Sequence, residues 1–351
     1  MTSGPDYAHK LERLKERLKG SLSVLILTHD FPDPDCLASA FGLQHLFKFW
    51  GIKSSTISFG GFVGRAENRA MVRFAQIESV PFILLSLEDY DSIVLVDTFP
   101  GLGNLSLDKR RAVDVVLDHH PHTPPADARF FHDIRRDLGA TSTLVTKYLM
   151  AARCPIAATL ATTLFYGIKT DTNEMARNAS AEDLHCYKLL FDKADHRLLS
   201  RIEWPDRDAE YFRILHTAAE SMTTFGRVGY THLGSVSAPD HIAEIADLFD
   251  SLQSIQWMVC SGVFKKQIYY SIRSKDDVTT GETAGEAAEH IAQLLGGSGG
   301  GHSNMAAGRI PLNGSPPEEA LDRLIMGFRR FFGVDGTDSQ KLLEEPSDAR
   351  E

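Results

Sequence analysis

The 351-residue chain is 43% hydrophobic and 24% charged, an ordinary balance for a soluble globular protein of about two domains. Its net charge of -10 excludes general attraction to long duplex nucleic acid, while a metal ion or a few arginines can still hold a small anion locally. The four cysteines are scattered with no CxxC pair, the start is charged and polar, and no apolar run reaches the roughly 18 residues that span a bilayer, so a cytoplasmic protein is expected, with no disulfide framework, thiolate zinc site, signal peptide or membrane partner.

Taken in order, Tyr7 to Leu18 places Leu11, Leu14 and Leu18 at helical spacing among charged residues. Ser23 to Leu27 is an apolar run that reads as a buried strand, and it ends in Thr28-His29-Asp30-Phe31-Pro32-Asp33-Pro34-Asp35. A helix is predicted from Cys36 to Phe49, a strand from Ile52 to Phe59, a turn over Gly60 to Gly64 and a helix from Arg65 to Phe74. Ser92 to Val96 is another buried strand with Asp97 at its carboxyl end, and Ala112 to Leu117 is the next, closed by Asp118-His119-His120. Helices follow from Thr141 to Ala151 and from Pro155 to Tyr166, then Gly167-Ile168-Lys169-Thr170-Asp171-Thr172-Asn173. Ser180 with Asp183 three residues on resembles a capping box opening a helix to Phe191.

Around Ala194 to Asp208 the chain turns charged and irregular, which marks a linker, and Ala209 to Met222 reads as a helix. Beyond Gly226, strands are predicted over Tyr230 to Val236 and Gln256 to Val263, the latter pairing with Gln267 to Ile272 as a hairpin. Helices are predicted over His241 to Phe249, Glu282 to Leu295 and Pro317 to Phe332, with a glycine run from Gly296 to Gly301 ahead of His302. The expected layout is a catalytic domain over residues 1–193, a linker with a helix over 194–225, a substrate-binding domain over 226–335 and a disordered tail over 336–351. Strands alternating with helices give an α/β fold whose first domain has a parallel sheet with helices on both faces, joined to a smaller α/β domain.

Open parallel sheets bind ligands beyond the carboxyl ends of their strands. His29, Asp33, Asp35, Asp97 and Asp118 to His120 all fall at that edge, with Asp171 following a helix. An Asp at a strand end is ordinarily a cap for the next helix. Recurrence at one sheet edge argues instead for a site, because buried ionisable groups are costly unless they bind something. Imidazole nitrogen with carboxylate oxygen suits Mn²⁺ or Zn²⁺. His29, His119, Asp33, Asp35, Asp97 and Asp171 are more ligands than one catalytic ion takes, and suit two divalent ions about 3.5–4 Å apart that share a carboxylate and activate a hydroxide between them.

At these residues the chain resembles the DHH phosphoesterase family, which includes RecJ-type exonucleases, family II inorganic pyrophosphatases and NrnA-type nano-RNases. The resemblance rests on His29 to Asp35, Val96-Asp97-Thr98, Asp118-His119-His120 and Gly167 to Thr172, in that order, and covers most of the chain. It implies that His29, Asp33 and Asp97 hold one ion and that Asp35, Asp97, His119 and Asp171 hold the other, with Mn²⁺ as the usual metal. It implies that His120 faces the phosphate as a catalytic acid and that Asp118 orients a histidine. The second half resembles the DHH-associated DHHA1 domain. Arg273 and Ser274 on a strand, and Gly299, Gly300, Gly301 and His302 before Ala306-Ala307-Gly308, match its substrate-binding strand and glycine-rich loop. The active site is then expected in the cleft between the two domains, and a homodimer is favoured.

The resulting expectation is a Mn²⁺-dependent phosphodiesterase that cuts short oligonucleotides and linear dinucleotides such as pApA and pGpG to nucleoside 5′-monophosphates. Removal of the 3′-phosphate of pAp is expected as a further activity, as in NrnA-type relatives. Direct cleavage of cyclic dinucleotides is the alternative within the enzyme class. A non-catalytic nucleotide-binding protein on the same fold is the alternative outside it.

Overall fold

The computed structural model describes residues 6–275, 282–301, 303–314 and 316–343. The chain divides into two units, Met1–Asp206 and Arg207–Glu351, so the boundary falls inside the 194–225 segment expected as a linker.

The first unit runs α1 (Tyr7–Arg17), β1 (Ser23–Leu27), α2 (Pro34–Phe49), β2 (Ser54–Phe59), α3 (Ala66–Ala75), β3 (Ser79–Pro81), β4 (Ser92–Val96), β5 (Val115–Asp118), β6 (Phe131–Ile134), α4 (Thr141–Ala151), α5 (Ala158–Asp171), α6 (Ala181–Phe191) and α7 (His196–Glu203). Its strands form one sheet in the order β3-β2-β1-β4-β5-β6, every pair parallel. The apolar runs of β1, β4 and β5 reflect burial on both faces. Val24, Ile26, Val94, Val96, Val115 and Leu117 pack with the helices in one core. Leu25, Leu27, Ile93, Leu95 and Val116 face the other way, against Leu105, Leu107, Val113, Phe82, Phe99 and Phe130.

That second core takes its cover from short 3-10 turns and loops, so the expectation of helices on both faces is corrected for this unit. The connections that close this face carry Pro100, Gly101 and Gly103, then Pro121, Pro124 and Pro125, which break helices. The edge strands β3 and β6 leave little mark in the sequence pattern. They are short, and each mixes polar with apolar residues.

The second unit contains α8 (Ala209–Ser221), β7 (Thr223–Phe225), β8 (Val228–Ser235), α9 (Asp240–Phe249), β9 (Trp257–Phe264), β10 (Gln267–Ser274), α10 (Ala284–Leu295), β11 (Ser298–Gly301), β12 (Met305–Pro311), α11 (Pro317–Phe331) and β13 (Ser339–Lys341). The sheet order is β11-β12-β10-β9-β8-β7-β13. Helices α10 and α11 cover one face with Trp257, Val259, Ile268 and Tyr270, and α8 and α9 cover the other with Met258 and Cys260.

Two expectations change here. The glycine run is not a loop: Ser298–Gly301 is an edge strand paired antiparallel with β12. Within the tail expected to be disordered, Ser339–Lys341 pairs with β7, because backbone ladders at a sheet edge need no apolar side chains. Residues 344–351 lie outside the described residues. Among the described residues no helix is long and apolar enough to cross a membrane.

Candidate metal centre

Sheet register assembles the site. Parallel pairing sets Leu27 beside Leu95 and Val96 beside Leu117, so the chain leaves β1, β4 and β5 at one edge. His29 and Asp33 lie in the loop from β1 to α2. Asp33 is also the α2 cap, its Oδ1 accepting from the Cys36 N–H at 3.0 Å. Asp35 sits in the first turn of α2, Asp97 follows β4, Asp118 ends β5, and Asp171 is the last residue of α5. Asp97 has φ +58°, a conformation that Asp tolerates better than most residues but that still stores strain.

The candidate ligands converge on Asp97. His29 Nε2 lies 3.6 Å from Asp33 Oδ2 and 3.8 Å from Asp97 Oδ2. His119 Nε2 lies 3.6 Å from Asp97 Oδ1 and 3.1 Å from Asp171 Oδ2. Asp35, His119 and Asp171 present ligand atoms within 4.8 Å of one another, as do His29, Asp33, Cys36 and Asp97. The six residues singled out from the sequence as ligands therefore stand together in two adjoining groups.

The donor set fits divalent ions. His29 Nδ1 faces the Asp30 carbonyl at 2.9 Å and His119 Nδ1 the Leu138 carbonyl at 3.3 Å. A carbonyl accepts only, so Nδ1 carries the proton and each Nε2 of a neutral ring turns a lone pair toward carboxylate oxygens. His119 Nε2 is buried and, despite Asp171 at 3.1 Å, makes no hydrogen bond of acceptable geometry. Lone pairs facing lone pairs in a buried site call for a cation between them.

The electrostatics carry the same signature. Burial opposes charge on His119, but Asp171, Asp97 and Asp35 outweigh it and push its pKa up to about 11. Burial and the repulsion of Asp33 raise Asp97 to about 6. Burial and the charges of Asp97 and Asp171 hold Asp35 well above the usual carboxyl range. Burial likewise pushes the Cys36 thiol up to about 12, so it stays protonated and is a poor ligand beside His29.

His120 differs from His119. Its Nδ1 lies 2.9 Å from Asp118 Oδ1, and its backbone N–H donates to the same oxygen. Burial works against the charged ring, but Asp118 and Asp97 raise its pKa. The Asp118 carboxyl is held below its usual range, His120 outweighing the cost of burial.

Several participants escaped the sequence reading. The N–H groups of Thr141 and Ser142, at the start of α4, donate to Asp35 at 2.7 and 2.8 Å. The Thr141 hydroxyl donates to Asp97 Oδ1 at 2.7 Å. A helix N-terminus is a ready anion holder, and Gly139-Ala140-Thr141-Ser142 at a predicted helix start was the available signal. Arg177 donates to the Asp171 carbonyl at 2.9 Å. His122, half-buried, lies 3.7 Å from Asp118 Oδ2 and stacks on Phe99.

The proposed substrate residues belong to the second unit. Arg273 is buried, with Nε 2.5 Å from Asp247 Oδ1 and Nη1 bonded to Ser271 Oγ and the Ile272 carbonyl. Ser274 is buried beside it, and Gly299, Gly300 and Gly301 form β11. His302 lies outside the described residues.

Comparison with known proteins gives two domain matches: the DHH family N-terminal domain over residues 23–168 and a DHHA1 domain over residues 226–333. The chain is 32% identical over 330 residues to an uncharacterised protein of Methanocaldococcus jannaschii, which covers 93% of this chain and 66% of that relative's length. An exopolyphosphatase-related protein from Bacteroides fragilis is similar in structure, with a TM-score of 0.71 at 16% identity, covering 93% of this chain and 98% of its own. The exonuclease RecJ bound to manganese has a TM-score of 0.51 at 15% identity, covering 93% and 95%.

Proposed function

Because this chain carries a DHH-family N-terminal domain and a DHHA1 domain, we propose that it is a phosphoesterase that hydrolyses short oligonucleotides and linear dinucleotides to nucleoside 5′-monophosphates. The observation that carries the reading is that two adjoining ligand groups meet at Asp97, which lies close to both His29 and His119. His29, Asp33 and Asp97 would hold one divalent ion, and Asp35, Asp97, His119 and Asp171 the other. Mn²⁺ suits this mixture of imidazole and carboxylate. When bound, such ions supply neutralisation of phosphate charge and activation of water.

The residues of the chain do the rest. Thr141 and the first turn of α4 fix the orientation of Asp97 and Asp35. Asp118 holds the Nδ1 proton of His120, which leaves Nε2 to deliver a proton to the departing oxygen. Arg273 is the candidate partner for a substrate phosphate, with Ser274 next to it and the glycine strand Gly299 to Gly301 beyond β12 in the same sheet, and binding there would exchange Asp247 for the ligand. The acidic balance supports small substrates over long polymers.

The test is product analysis with Mn²⁺ on pApA, pGpG, pAp, c-di-AMP, pyrophosphate and polyphosphate. Release of 5′-monophosphates from the linear dinucleotides is expected. Faster turnover of c-di-AMP, or of polyphosphate, would replace the substrate assignment. Binding without turnover across the panel would reject the enzyme.

A further inference from the structure

Between two proposed ligands, His29 and Asp33, the chain exposes a phenylalanine. Phe31 is 54% exposed and has φ +55°, a region that bulky side chains avoid. Neither burial nor backbone preference selects Phe here, and glycine would suit the backbone better. The surrounding turn is nevertheless firmly built. The Phe31 N–H donates to the Gly60 carbonyl at 3.0 Å. Asp30 Oδ1 accepts from the N–H groups of Gly60 and Ser106, and Oδ2 from the Ser106 hydroxyl. The ring lies on Gly61, where a Cβ would come within 2.7–2.9 Å of three ring carbons. It meets Phe62 edge-on, with centroids 5.3 Å apart, and Phe62 is itself 38% exposed. Both rings follow the carboxyl ends of neighbouring strands β1 and β2, on the same sheet edge as the ligand cluster.

We propose that Phe31, backed by Phe62, is a stacking platform for a nucleobase of the substrate. The proposal rests on the nucleotide reading above and gives that reading a base-recognising subsite. A fixed aromatic face accepts any base through its π-face, so the platform selects nucleotides over base-free phosphates without strong preference among bases. The strain at Phe31 is then the mark of a residue kept for its ring and not for its fit to the turn.

Steady-state kinetics with Mn²⁺ on pApA and on its two singly abasic analogues test this. In the unmodified protein, removing one of the two bases should raise KM about tenfold, the scale of one lost base–aromatic stack. Phe31→Ala should raise KM on pApA by a similar factor, after which removal of that base has no further effect. Phe31→Tyr should restore the KM. Phe31→Gly relaxes the backbone, so it should melt no lower than Phe31→Ala and titrate Mn²⁺ normally, yet show the same KM rise. Unchanged KM for Phe31→Ala on pApA, or an equal loss on intact and abasic dinucleotides, overturns the platform and leaves the nucleotide reading standing. Absence of dinucleotide turnover by the unmodified protein overturns both.

Discussion

Asp97 carries opposed demands. It is buried, left-handed in backbone, bonded by Thr141 and close to both His29 and His119. Without a cation its charge is penalised by burial and by Asp33. Asp97→Asn removes that charge and keeps a residue type that tolerates positive φ. Turnover should fall more than about 100-fold, beyond the usual loss for an outer partner of a metal ligand, while the metal-free protein melts no lower. Thr141→Val leaves the ligands in place but frees Asp97, so Mn²⁺ titration should show affinity about tenfold weaker.

The same residues set a pH dependence. Asp97 has a folded pKa of about 6 against an ordinary 3.8, so the metal-free fold holds extra protons in that window and loses stability as pH rises through it. His119, raised from 6.5 to about 11, contributes stability present below 6.5 that is lost as pH climbs toward 11. Both slopes have the same sign. Melting curves with and without Mn²⁺ should therefore diverge as pH rises from 5 to 8, and a gap that narrows would contradict the metal assignment.

Among the elements, α4 and α6 are tied by one buried carboxylate. Asp183 closes the α6 capping box with Ser180 and also accepts from the Gly139 N–H at 2.8 Å and the Thr143 hydroxyl at 2.5 Å. Asp183→Ala leaves those donors unpaired and should cost about 2–4 kcal/mol in chemical denaturation. It also loosens the start of α4, so Mn²⁺ affinity should fall although Asp183 is not a candidate ligand.

The glycine strand separates packing from binding. Gly299 and Gly308 lie where a Cβ would be 2.7 and 2.2 Å from the Tyr270 hydroxyl, which donates to the Ala288 carbonyl. At Gly300 the nearest atom is 4.0 Å away. Gly308→Ala should destabilise by about 1–3 kcal/mol through overpacking, whereas Gly300→Ala should leave the melting temperature unchanged. A rise in KM for Gly300→Ala would then report substrate approaching that backbone.

At the scale of the molecule, two units with separate cores should unfold in two calorimetric transitions. The proposed metal ligands all lie in the first unit, so added Mn²⁺ should raise one transition and leave the other unmoved, by linkage. Movement of both together would mean that the units unfold as one.

The sequence by itself determined the parallel sheet and the edge at which most of the candidate ligands stand. Buried strands are written as local apolar runs, and the carboxyl end of each run is a place in the fold, so the sequence alone sets His29, Asp33, Asp35, Asp97 and His119 at one edge. The second halves of hydrogen bonds could not be read that way. Thr141 and Ser142 stand more than 40 residues from Asp97 and 100 from Asp35, and only the packing of α4 against α2 brings them there. Burial decided the rest: it closed one sheet face with loops where helices were expected, made the glycine run a strand packed on Tyr270, and left Phe31 exposed between two proposed ligands. Those outcomes depend on which surfaces meet, a property that no stretch of the chain carries alone.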